Sequence, residues 1–99
     1  RGRFKSGGVF TKYTNEGEDG FDTVEWIATQ GWCNGSVCTY GVSYLAHVQT
    51  SMALLRPPHL TAMFCIAGGF WNAHTSGIRQ GGAFEARHWV WGIKKAQDV

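Results

Sequence analysis

The sequence predicts an α/β fold built on a strand–turn–helix–strand unit, and three observations predict it. A β-prone run from Ser36 to Val42 passes through Gly41-Val42-Ser43 into a helical stretch, Tyr44 to Arg56, that carries Leu45, Val48, Met52 and Leu55 at roughly helical spacing. Pro57-Pro58 closes that helix, because proline donates no backbone hydrogen bond and disfavours helical geometry in the residue before it. His59 to Ala67 then runs nearly continuously apolar through Ala62, Met63, Phe64, Cys65 and Ile66, the pattern of a strand buried on both faces of a parallel sheet. Gly68-Gly69 turns the chain at the C-terminal end of that strand, where open α/β sheets place their ligands.

The remaining elements follow in order. Residues 1–20 are rich in Gly, Ser, Thr and Asn and read as a loop, with a short strand at Val9 to Tyr13 and with Arg1 and Arg3 as polar anchors. Phe21 to Gln30 reads as a helix capped by Asp19 or Asp22 and stopped by Gly31, with Phe21, Val24, Trp26 and Ile27 as an imperfect apolar stripe. Asp22 and Glu25 in its first turn suit the helix dipole. Trp32 to Gly35 is a turn. Phe70 to Gly82 is a loop or short helix over the strand ends, and Ala83 to Gln97 a last helix with Phe84, Trp89, Val90 and Ile93 on one side. The expectation is two parallel strands and about three helices in one small domain, residues 1–99.

Composition narrows the function classes. Nine Lys and Arg against seven Asp and Glu give a scattered +2, too weak for a nucleic-acid partner. No apolar run is long enough to span a membrane, so no membrane partner is expected. Three cysteines argue against a secreted disulfide framework and for a reduced, cytoplasmic setting, although Cys33 and Cys38 flank an Asn34-Gly35 turn that would allow a bridge between them. Those two cysteines lack a second ligand pair at zinc spacing, so no metal is expected.

The candidate chemistry centres on Ser43. A serine between a strand and a helix has two readings. It caps the helix, or it is a nucleophile on a strained turn of the Gly-x-Ser-x-Gly type, which needs small residues where chain passes close to chain. Gly41 fills the first small position; the last glycine of that pattern falls at Leu45, and the next small residue is Ala46.

The words around the serine resemble the cocaine esterase and X-Pro dipeptidyl-peptidase family of α/β-hydrolases. The matching residues are Arg1-Gly2-Arg3-Phe4-Lys5-Ser6, Glu16-Gly17, Asp19-Gly20, Asp22-Thr23-Val24-Glu25-Trp26-Ile27, Trp32, Asn34-Gly35, Val37 and Tyr40-Gly41. They continue through Ser43-Tyr44-Leu45, Ile66-Ala67-Gly68-Gly69-Phe70, Asn72-Ala73 and Gly77-Ile78-Arg79-Gln80-Gly81-Gly82-Ala83-Phe84-Glu85. The family elbow reads Gly-x-Ser-Tyr-x-Gly, so Ala46 replaces its glycine by one methyl group.

The resemblance implies the fragment-like βαβ core of an α/β-hydrolase, the region around the nucleophile elbow. It implies hydrolysis of a small-molecule carboxylic ester or amide through an acyl-enzyme on Ser43, with the backbone N–H of Tyr44 as oxyanion donor and no cofactor. The family's second oxyanion donor, a tyrosine hydroxyl upstream, has no matching position here, and Tyr13 is not that residue. The family's acid and histidine have none either, which leaves His47, one helical turn after Ser43, and His74, in the loop after the second strand, as candidate bases. Glu85 and His88 follow Ser43 in the right order but sit three apart on one helix. The competing expectation is a catalytically incomplete hydrolase fragment or oligomeric scaffold. Two parallel strands shield neither both faces nor both edges, so completion by self-association into a homo-oligomer is expected.

Overall fold

The computed structural model describes residues 1–11, 13–68, 79–80 and 83–96. Helix α1 (Glu16–Ala28) leads into strand β1 (Val37–Val42), helix α2 (Tyr44–Ala53) and strand β2 (Leu60–Ile66). A hairpin of two short strands follows, β3 (Arg79–Gln80) with β4 (Ala83–Phe84), and then helix α3 (Ala86–Ala96). β1 and β2 pair in parallel, with Cys38, Tyr40 and Val42 in register with Ala62, Phe64 and Ile66. The α/β expectation holds.

The boundaries carry lessons. α1 begins five residues before the expected Phe21. Gly17 and Gly20 read as loop residues, yet they lie where α1 crosses α2: a Cβ at Gly17 would come within 3.1 Å of the Ser51 carbonyl oxygen, and one at Gly20 within 3.0 Å of the Met52 Cβ. Close crossing of two helices, not turn chemistry, is what those glycines serve. Glu16, Glu18 and Asp19 place negative charge at the helix start, where the dipole favours it. α2 ends at Ala53, before the expected Arg56, and its last turn tightens through Leu55 N–H to Met52 O (3.0 Å) and Arg56 N–H to Ala53 O (3.0 Å) ahead of the two prolines. The short strand expected at Val9 to Tyr13 does not form among the described residues: Val9, Phe10 and Thr11 have no regular structure, and Tyr13 lies in a turn. Ala83 and Phe84 belong to the hairpin rather than to α3.

The buried core gathers near the start of the strands, where Val24, Val37 and Met52 meet, with Ile27, Ala28, Cys33 and Leu60 packed against them. The buried stripe of α2 is Ala46, Gln49 and Met52, one residue round from the expected one, and Leu45 and Leu55 stay exposed. At the same end Glu25 clamps α1 to the entry of β2. It accepts from the His59 N–H (3.2 Å) and contacts its Nδ1 (2.8 Å). All three cysteines are free, so the Cys33–Cys38 pairing is not formed.

The sheet is covered on one face only. Val37, Thr39 and Gly41 alternate with the exposed Cys38, Tyr40 and Val42, and on β2 Ala62, Phe64 and Ile66 are exposed. The expectation that β2 is buried on both faces is corrected: α1 and α2 pack on one side, and no described element covers the other. Register makes the exposed residues cross-strand partners, a continuous apolar band.

Candidate active site

Ser43 stands at the C-terminal end of β1, immediately before α2. Its backbone takes φ 57° and ψ −116°, a region that L residues occupy only under constraint, and its hydroxyl makes no capping bond to the helix. A serine that caps a helix has ordinary extended backbone and an oxygen turned onto the first-turn N–H groups. Neither holds here. The hydroxyl is exposed and free of the helix it precedes.

Three backbone bonds hold the turn. Ser43 N–H donates to the Ile66 carbonyl at the end of β2 (2.9 Å), and the Ser43 carbonyl accepts from Ala46 N–H (3.0 Å) and His47 N–H (3.2 Å). Close packing fixes the approach as well. A Cβ at Gly41 would lie 2.6 Å from the Leu45 Cβ and 3.0 Å from both the Leu45 carbonyl carbon and Gln49 Nε2. Only glycine lets α2 lie this near β1. Ala46 is fully buried, so its extra methyl fits in the interface between α2 and the sheet.

Behind the turn, Gln49 is buried among apolar neighbours but satisfied. Thr39 Oγ1 donates to its Oε1 (2.8 Å), and its Nε2 donates to the Leu45 carbonyl (3.1 Å). This bridge from β1 to α2 was not anticipated, although a polar residue in phase with Ala46 and Met52 is a signal for it. The other unanticipated group is Glu16. Its Oε1 accepts from the Tyr44 hydroxyl and from the Tyr13 N–H (2.9 Å), tying the residue after Ser43 to the first turn of α1. Tyr13 packs edge-on against Tyr44 and His47, with ring centroids 4.8 and 4.9 Å away. Burial, and then the neighbouring Glu16 carboxylate, push the Tyr13 phenol above its ordinary range.

The candidate histidines are placed differently. His47 sits one turn into α2 with Nε2 3.3 Å from Ser51 Oγ, and among the described residues no hydrogen bond joins its ring to Ser43. His74 lies outside the described residues. His88, on α3, has Nδ1 3.2 Å from Oε2 of Glu85, which lies just before that helix rather than on it as expected; the pair is away from β1 in sequence and joined to Ser43 by no described contact. Among the described residues no cluster of His, Cys, Asp or Glu could hold a metal ion, and no helix is long and apolar enough to cross a membrane.

A parallel βαβ unit with helices packed on one face, and a serine on the constrained turn after its first strand, is a fragment of an α/β-hydrolase fold. Residues 1–98 match the profile of the X-Pro dipeptidyl-peptidase (S15) family, and the chain belongs to that family. It is 43% identical over 54 residues to a cocaine esterase of Rhodococcus sp. (strain MB1 Bresler), across 54% of this chain and 9% of that protein. It also resembles the crystal structure of a CocE/NonD family hydrolase from Staphylococcus aureus, at 48% identity and a TM-score of 0.60 over 64% of this chain and 12% of that one. The chain thus spans about a tenth of the length of these relatives.

Proposed function

We propose that Ser43 is the nucleophile of a serine hydrolase that cleaves carboxylic esters or amides through an acyl-enzyme, the turn around it being a nucleophile elbow. The observation that carries this reading is the constrained backbone of Ser43 combined with its uncapping, exposed hydroxyl. Strain persists at such a residue only where the surroundings over-determine it, and a structural cap has no use for it. Family membership supports the reaction class.

In the proposed reaction Ser43 Oγ attacks the substrate carbonyl as a base removes its proton. The tetrahedral oxyanion takes a hydrogen bond from the Tyr44 N–H, and the alcohol or amine leaves with the proton returned by the base. Water then attacks the Ser43 ester and releases the acid. Within this chain the proposed bases are His47 and His74; His47 would have to leave Ser51 to reach Ser43. The odd count of three cysteines supports a reducing, cytoplasmic compartment as part of this proposal.

Turnover of a chromogenic ester, together with covalent labelling by a fluorophosphonate, tests the reading. Ser43→Ala should abolish both while leaving far-ultraviolet circular dichroism intact; full activity in that variant would overturn it. Loss of a general base costs roughly 10²-fold or more in kcat, so His47→Ala or His74→Ala should show that drop. If both keep the wild-type rate, neither is the base.

A further inference from the structure

We propose that Glu16 is a positioning residue for the oxyanion side of the Ser43 site, holding Tyr44 through its hydroxyl so that the Tyr44 peptide N–H stays aimed at the reacting carbonyl. The inference rests on the reading of Ser43 as nucleophile and assigns a part to a residue 27 positions upstream of it in sequence, on another helix.

The geometry is specific. One carboxylate oxygen, Glu16 Oε1, receives the Tyr44 hydroxyl and the Tyr13 N–H together. The partner oxygen, Oε2, is buried with no hydrogen bond among the described residues, so the carboxylate has been taken out of water to make these two contacts. Tyr13 itself is held at φ 63°, and its ring closes over Tyr44 and His47. The loop before α1 is thereby latched to the first turn of α2.

The consequence reaches the backbone. The peptide between Ser43 and Tyr44 follows a ψ of −116°, and relaxation of that angle swings the Tyr44 N–H away from the position it holds. On the Ser43 side the carbonyl of the same peptide resists this motion through the bonds it accepts from Ala46 N–H (3.0 Å) and His47 N–H (3.2 Å). On the Tyr44 side the side chain supplies the anchor, and Glu16 is what fixes the side chain. A donor misplaced by an ångström costs an electrostatic site much of its effect without altering how substrate is held in the ground state.

The test uses the whole chain and four variants: Glu16→Gln, Glu16→Ala, Tyr44→Phe and the double variant of the last two. Gln keeps an oxygen that accepts both hydrogen bonds, so Glu16→Gln should stay within a few-fold of wild type. Glu16→Ala and Tyr44→Phe should each lower kcat by about 10-fold with KM little changed, and the double variant should lose no more than either one. Multiplied losses in the double variant, or a Glu16→Ala enzyme with wild-type kcat, overturn the proposal. A second measurement stands apart from activity. Amide hydrogen exchange at Ser43 and Tyr44 should quicken at least about 10-fold in Glu16→Ala and return in Glu16→Gln, whereas unchanged exchange at both overturns the positioning role. If wild type neither turns over nor labels, the nucleophile reading fails, and the exchange data still decide whether Glu16 holds the turn.

Discussion

Replacing Gly41 by alanine isolates the contact that lets α2 lie against β1. The added Cβ would sit 2.6 Å from the Leu45 Cβ and 3.0 Å from the Leu45 carbonyl carbon. Carbon atoms pack best at about 3.5–4 Å, so the closest overlap is roughly 1 Å. Part of the wall is helix backbone, which has no rotamer to change, so α2 must move away. Overpacking of this kind costs about 1–3 kcal/mol. Moving α2 also stretches the Thr39–Gln49 hydrogen bond of 2.8 Å and threatens a buried amide. A polar group left unsatisfied costs a further ~1–3 kcal/mol. At about 3 kcal/mol in all, thermal unfolding followed by circular dichroism should shift down by ~10–20 °C for a domain of this size. Gly31→Ala is the matched control, since a Cβ there meets nothing within 4 Å. Should Gly41→Ala melt within about 2 °C of wild type, the idea that this contact sets the distance between helix and strand is wrong.

Two further outcomes are expected. The Tyr13 phenol holds its proton above the pH near 10 at which an unfolded tyrosine loses it. Over that interval the unfolded state binds fewer protons than the folded state, so stability should fall as pH rises from about 10 through the folded value. Tyr13→Phe should remove the late step from an absorbance titration at alkaline pH, and an unchanged titration would refute the placement. For the chain alone in solution we propose self-association through the apolar band of Cys38, Tyr40, Val42, Ala62, Phe64 and Ile66. Light scattering should report an oligomer at micromolar concentration that Phe64→Lys disperses, while a wild-type monomer would refute it.

What the sequence made legible depended on whether a residue's neighbours are local. β1, α2 and β2 could be read because each is marked within its own stretch, by a β-prone run, by two prolines and by a continuous apolar segment. The start of α1 could not. Gly17 and Gly20 look like loop residues until Ser51 and Met52 are seen against them, more than thirty positions away. The buried stripe of α2 departs from the apolar spacing of its sequence for a related reason. Leu45 and Leu55 are more apolar than Ala46 and Gln49, but the face that is buried is the one whose amide is satisfied by Thr39, on another element. The place of Ser43 on the turn between β1 and α2 was legible from the residues around it. Glu16 was not, since its partners Tyr13 and Tyr44 lie on both sides of it in sequence and only folding brings Tyr44 near.

Which constraint keeps Ser43 strained follows from comparing magnitudes. A non-glycine residue in this region of φ and ψ costs about 1–3 kcal/mol. The three backbone hydrogen bonds at Ser43 contribute a net ~0.5–1.5 kcal/mol each. Two of them, from Ala46 and His47, would form at any helix start, relaxed or strained, and so give no preference for the strained form. The bond from Ser43 N–H to Ile66 O is the one that depends on where the strand ends, and alone it offsets only the lower part of the strain range. The balance must come from packing that forbids the relaxed turn. Gly41 against Leu45 limits how far α2 can move toward β1, and Glu16 fixes Tyr44 on the far side of the peptide. A serine exposed at this turn therefore depends on a glycine two residues before it and a carboxylate on another helix, neither of which touches its hydroxyl.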